Sequence, residues 1–228
     1  MSTGKNCKII DDKNSCGFIY PFIDKIINLL KFINLVELFK YLSKKILAEN
    51  ASERNIISNS RIAVDIFIIG KWLYLIWLIF FQVNSTFHLF FVWYLIYSNV
   101  YTYFYYHTWS DLILSDNLIT ASRLKRRFVN LCISILFTIF CFAYLYFVPY
   151  RYDYKWINTP PTFFSSLVFS ISNSLTANFN EIVPQTKTGT TIAIIQLVIM
   201  AIFITIIIVG SIPQINCIER DGKNGVQK

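Results

Sequence analysis

Two stretches of this chain, 128–148 and 190–212, run for more than twenty residues without a charged side chain. A helix needs ~20 mostly apolar residues to cross the hydrocarbon core of a bilayer, so both read as membrane spans. Phe87–Tyr106, dense in aromatics, is a third clear span, and Ile62–Gln82, which carries Asp65 and Lys71, is a weaker one. Only 15% of the 228 residues are charged, against ~25% in an ordinary soluble domain. Aromatic residues make up 18%, which excludes a disordered chain. The expected fold class is an all-α integral membrane protein with four transmembrane helices.

The net charge of +8 reads as cations gathered on one membrane face, so a lipid bilayer is expected as partner and nucleic acid is not. Lys and Arg number ten in residues 1–61, four in 107–127 and three from 213 onward. The 83–86 turn has none and the 149–189 segment has Arg151, Lys155 and Lys187. The positive-inside rule then predicts a multi-pass protein of the cell membrane, with both termini and the basic cluster Arg123, Lys125, Arg126 and Arg127 cytoplasmic.

Domain 1–60 precedes the first span. Asp24, Asn28, Lys31, Asn34, Glu37, Lys40 and Lys44 recur every three or four residues and predict an amphipathic helix over about 21–48. It is expected on the cytoplasmic surface, with bundling of copies or docking of a soluble partner as alternatives. Tyr101, Tyr103, Tyr105 and Tyr106 suit an interfacial aromatic belt, and Lys71 is expected to snorkel outward rather than pair with Asp65. Cys7, Cys16, Cys132, Cys141 and Cys217 show no metal spacing, and the histidines are only His88 and His107. No metal, cofactor or enzymatic site is therefore expected, and residues 1–6 begin no signal peptide.

The 149–189 segment carries Pro160–Pro161 and then TFFSSLVFSISNSL, too short to span. A pore-type helix is expected over 161–175 with Thr159 as N-cap. The loop Thr176-Ala177-Asn178-Phe179-Asn180-Glu181 follows, with Ile182-Val183-Pro184 closing a filter-like stretch 176–184. The order of outer helix 128–148, short helix, loop and inner helix 190–212 resembles the pore module of the potassium-channel superfamily, whose loop reads T-V-G-Y-G-D. Thr176 matches the threonine, Ala177 stands for valine, Phe179 for tyrosine and Glu181 for aspartate. Asn178 and Asn180 replace both glycines.

The resemblance implies one loop per chain and hence a homotetramer around a central axis, admitting a monovalent cation, K+ or Na+. Asparagine tolerates the φ > 0 conformations of filter glycines better than other residues, and weak selectivity is expected. Glu181 would ring the outer mouth as a pore-mouth carboxylate. Gln196, Met200, Phe203 and Ile207 recur at helical spacing as candidate cavity or gate lining. Two functions follow: a tetrameric cation channel or leak pore, or a non-conducting membrane scaffold or sensor. The second would recruit a cytosolic protein through 1–60 and 107–127, for example in a bacterial stress or antiviral defence system, with 213–228 as a cytoplasmic tail.

Overall fold

A computed structural model describes residues 19–31, 33, 34, 36, 53–106, 121–177 and 179–224. Among them are six helices: α1 (Ile19–Lys31), α2 (Glu53–Phe81), α3 (Thr86–Phe104), α4 (Ala121–Phe147), α5 (Phe163–Ser174) and α6 (Lys187–Asn224). Two short strands, β1 (Tyr154–Trp156) and β2 (Ile182–Pro184), accompany them. Three helices are long and apolar enough to cross a membrane, over Val64–Phe81 in α2, Phe128–Phe147 in α4 and Lys187–Ile208 in α6. The chain is a membrane protein on that ground. α3, expected as a clear span, is a 19-residue helix that is not among these three, whereas the weaker expected span, in α2, is.

α4 is the hub. Every residue from Cys141 to Phe147 is buried, as expected of a helix apolar on all sides and packed on all sides. Leu75 and Leu78 of α2, Val92, Leu95 and Ile96 of α3, Phe169 of α5 and Ile192 of α6 form one core with it. α2 buries one side only. Its exposed Ile62, Ile66, Ile69, Leu73, Ile76 and Phe80 step by four and three residues, the spacing of a lipid-facing stripe. Gln82, at φ 49°, ends α2 with Val83 N–H donating to the Leu78 carbonyl, and the Tyr144 hydroxyl donates to Val83 O at 2.6 Å.

The N-terminal segment does not lie free on a surface. α1 runs antiparallel along residues 94–105, burying Ile27 and bringing Asn28 and Lys31 to Tyr105. The Tyr101 hydroxyl donates to Ile27 O at 2.6 Å and the Tyr94 hydroxyl to Ile33 O at 2.7 Å. Buried Asn34 donates to Thr102 Oγ1 and accepts from Ser98 Oγ, both at 2.7 Å. Behind these contacts the rings of Tyr94, Tyr97, Tyr101 and Tyr105 form a ladder, with successive centroids 6.4, 6.0 and 5.8 Å apart. Tyr94, Tyr101 and Tyr105 thus form a docking face for the N-terminal segment, while the Tyr103 hydroxyl donates to Asn130 O of α4 at 2.8 Å. The apolar side of α1, with Ile19, Phe22 and Leu29, points outward. Residues 37–48 of the expected 21–48 helix and 107–120 of the basic linker lie outside the described residues.

Between α4 and α6 the chain folds back on itself. β1 and β2 pair antiparallel, with Lys155 opposite Val183, a short ladder inside the expected loop 149–189. Thr186 caps α6 by accepting from Gly189 N–H at 3.1 Å, and its hydroxyl donates to Asp153 Oδ1 at 2.5 Å. α6 therefore starts at Lys187 rather than Thr190, and it continues through Pro213 to Asn224, where a stop at 212 and a separate tail were expected. Buried Tyr154 donates its hydroxyl to Gly189 O at 2.7 Å, and burial holds that hydroxyl well above the usual tyrosine range.

Gly189 is required by contact. A Cβ there would sit 2.6 Å from the Asp153 carbonyl oxygen, a backbone atom that cannot swing aside. Gly189→Ala should lower stability by about 1–3 kcal/mol, the usual range for overpacking, read as an earlier thermal unfolding midpoint of the detergent-purified protein.

Candidate functional site

α5 is wedged between α4 and α6 by small residues. Ser166, Ser170 and Ser174 repeat at i+4 and are buried with Ser165 and Phe169, and small side chains let helices approach closely. Ser170 Oγ donates to Ile139 O of α4 at 2.8 Å. The helix begins at Phe163, and its N-cap is Thr162, which accepts from Ser165 N–H at 3.2 Å. Pro160 and Pro161 precede the cap, so Thr159 is displaced from that role.

Gln196 of α6 closes the junction. It is fully buried, and its amide nitrogen donates to Ser170 O, Ser170 Oγ and Ser174 Oγ at 2.8–2.9 Å. Its oxygen accepts from the Tyr146 hydroxyl at 2.5 Å and Asn173 Nδ2 at 2.9 Å. Gln196 is thus a bridge joining α4, α5 and α6 rather than the lining of an open cavity. Met200 and Phe203 are likewise buried, against Leu131, Ile139 and Ile206. Of the four inner-helix candidates only Ile207 is exposed.

At the far end of α5 the loop turns sharply. Thr176 N–H donates to Asn173 O, Ala177 N–H to Ser172 O and Leu175 N–H to Ile171 O, and Thr176 has φ 55°. This is a Schellman cap, with threonine at the left-handed position that glycine usually takes. A β-branched residue there is a true outlier, and such strain gathers at functional sites. The cap also engages the carbonyls of Ile171, Ser172 and Asn173, which a cation at a bare helix terminus would need. Beyond it Thr176, Ala177, Asn180 and Glu181 are exposed and Phe179 packs against the main core. Asn178 lies outside the described residues. The Glu181 carbonyl accepts from Ile157 N–H at 2.7 Å, so the 176–184 stretch is a six-residue loop joined to strand β2.

The charged residues of the spans fall elsewhere than expected. Arg126 makes an ion pair with Asp65, at 2.8 Å. Arg123, Lys125 and Arg127 sit on the first turns of α4, and their side chains lie outside the described residues. Lys71 is buried, donating to Asn99 Oδ1 at 2.6 Å, so it neither snorkels outward nor pairs with Asp65. Sequence reasoning also passed over Asn99 and Asn173, and read Asn34 only as one member of a surface stripe. Their signal is a polar amide set within an apolar or aromatic run.

Two substitutions test the site. Gln196→Leu strands the buried Tyr146 hydroxyl and takes one partner each from Asn173, Ser170 and Ser174, and should destabilise by about 2–3 kcal/mol. The outward-facing control Val198→Ala should stay within about 1 kcal/mol of wild type. Thr176→Gly removes the side chain from the left-handed position and should raise the unfolding midpoint, with a gain of about 1 kcal/mol.

Set against protein-family models, curated proteins and solved structures, the chain matches none.

Proposed function

We propose that this chain is the subunit of a homotetrameric cation channel or leak pore in the cell membrane. Four spans per subunit, cytoplasmic termini and weak selectivity between K+ and Na+ complete the reading. The observation that carries it is the exposed polar loop from Thr176 to Glu181, strained at its first residue and mounted on a short helix clamped between two spanning helices. Polar backbone at membrane depth is tolerated only where protein buries it or water reaches it. Four copies of the loop around an axis satisfy that requirement. The outward apolar faces of α5 (Phe164, Ile171, Leu175) and α6 (Ile194, Val198) supply the surfaces on which copies would pack.

A second reading is favoured by the cap on α5. Its hydrogen bonds engage the carbonyls of Ile171, Ser172 and Asn173, which weakens the attraction of the helix terminus for a cation. On that reading the tetramer is a non-conducting scaffold or sensor that binds a cytosolic protein through 1–60 and 107–127.

Native mass of the detergent-purified protein separates both readings from a monomer. A tetramer is expected, and a monomer or dimer overturns the pore. Purified protein in liposomes should then pass K+ and Na+ at rates within about tenfold of each other. Glu181→Gln should lower that flux several-fold by removing charge at the mouth. A tetramer with no flux selects the scaffold.

A further inference from the structure

Lys71 is the one buried ammonium among the described residues, 8% exposed. Its Nζ donates to Asn99 Oδ1 at 2.6 Å and stands 4.3 Å from the centroid of the Phe137 ring. An ammonium carries three N–H donors, and this hydrogen bond uses one. Asn99 is held for the purpose, because its amide nitrogen donates to Ser134 O and Thr138 Oγ1, both at 3.0 Å. Its oxygen is thereby turned toward α2. A ring face and a neutral amide soften a buried cation but do not neutralise it. Asp65, the acid of the same span, is engaged by Arg126, and no carboxylate pairs with Lys71 among the described residues.

A cavity of about 40 Å³ lies against the lysine, lined by Lys71, Ser98, Asn99 and Thr102 and by apolar Val36 and Phe67. About 10–15 Å³ of such space accommodates one water, so a single small ion with a water fits. Ser98 Oγ and Asn34 Nδ2 are committed to the contact between α3 and the N-terminal segment. That leaves the ammonium as the principal donor to an occupant.

We propose that this niche binds one small monovalent anion of the halide class as the counter-ion of Lys71. Charge balance selects the valence, since a divalent anion would exchange one uncompensated buried charge for another. The apolar part of the lining selects weakly hydrated ions, placing bromide ahead of chloride and chloride ahead of fluoride. The site is separate from the loop at Thr176 and stands whether or not the protein conducts.

The test is thermal unfolding of the full-length protein in detergent, with potassium gluconate replaced by potassium bromide at constant ionic strength. The wild-type midpoint should rise by several degrees and saturate, as binding to the folded state requires, and Lys71→Met should abolish the dependence. Crystals of wild type grown in bromide should give an anomalous peak in contact with Lys71 Nζ, a readout that needs no variant to fold. Wild-type stability indifferent to bromide, an equal response in Lys71→Met, or bromide peaks only elsewhere would each overturn the proposal.

Discussion

A polar side chain carried into an apolar slab must find its partners within the protein, because no water is there to accept it. Three amides meet that requirement, and the fold hangs on them. Gln196 ties α6 to α4 and α5, Asn99 ties α3 to α2 and α4, and Asn34 ties the N-terminal segment to α3. Each is buried, and each both donates and accepts, so a single neutral group bridges more than one neighbour. Apolar side chains alone would not choose among registers, since lipid tails are as apolar as the helices they would replace. The amides choose.

The same chemistry explains what sequence reasoning reads well and where it goes astray. Unbroken apolar runs place α4 and α6, because hydropathy needs no knowledge of neighbours. The α3 helix, expected at Phe87–Tyr106 and found at Thr86–Phe104, is equally readable. The direction in which its tyrosines point is not, because the N-terminal segment they hold lies 61 to 77 residues earlier. Lys71 misleads for a related reason: its depth in the span is visible, but its partner is 28 residues away on another helix. Gln196 stands out as a polar residue in an apolar helix. Assigning it to a central axis overlooks the serine repeat at Ser166, Ser170 and Ser174 that supplies its partners. Three-residue strands are too short for alternation to announce them.

The loop from Thr176 to Glu181 rests on a frame more rigid than its own sequence suggests. α5 is held on both sides by hydrogen bonds, and β1 with β2 fixes the exit of the loop. Such a frame is what allows a threonine to be kept in a left-handed conformation, since a freer loop would relax the strain away. Of this candidate site, the short helix and the polar loop are apparent from the residues, whereas the cap and the strain are not. Both depend on backbone conformation at one position where composition offers no glycine.

The docking of α1 carries a consequence for how the molecule is made. The N-terminal segment is held by hydrogen bonds from a surface on α3 whose residues are synthesised 61 to 77 positions later. During translation the N-terminal segment therefore emerges, and α2 follows, before anything exists for Asn34 or the Ile27 carbonyl to bind. Closure against Tyr94, Ser98, Tyr101 and Thr102 is a late event of biogenesis. It cannot precede the synthesis of α3, and Val36 of the segment reaches the Lys71 niche only with that closure.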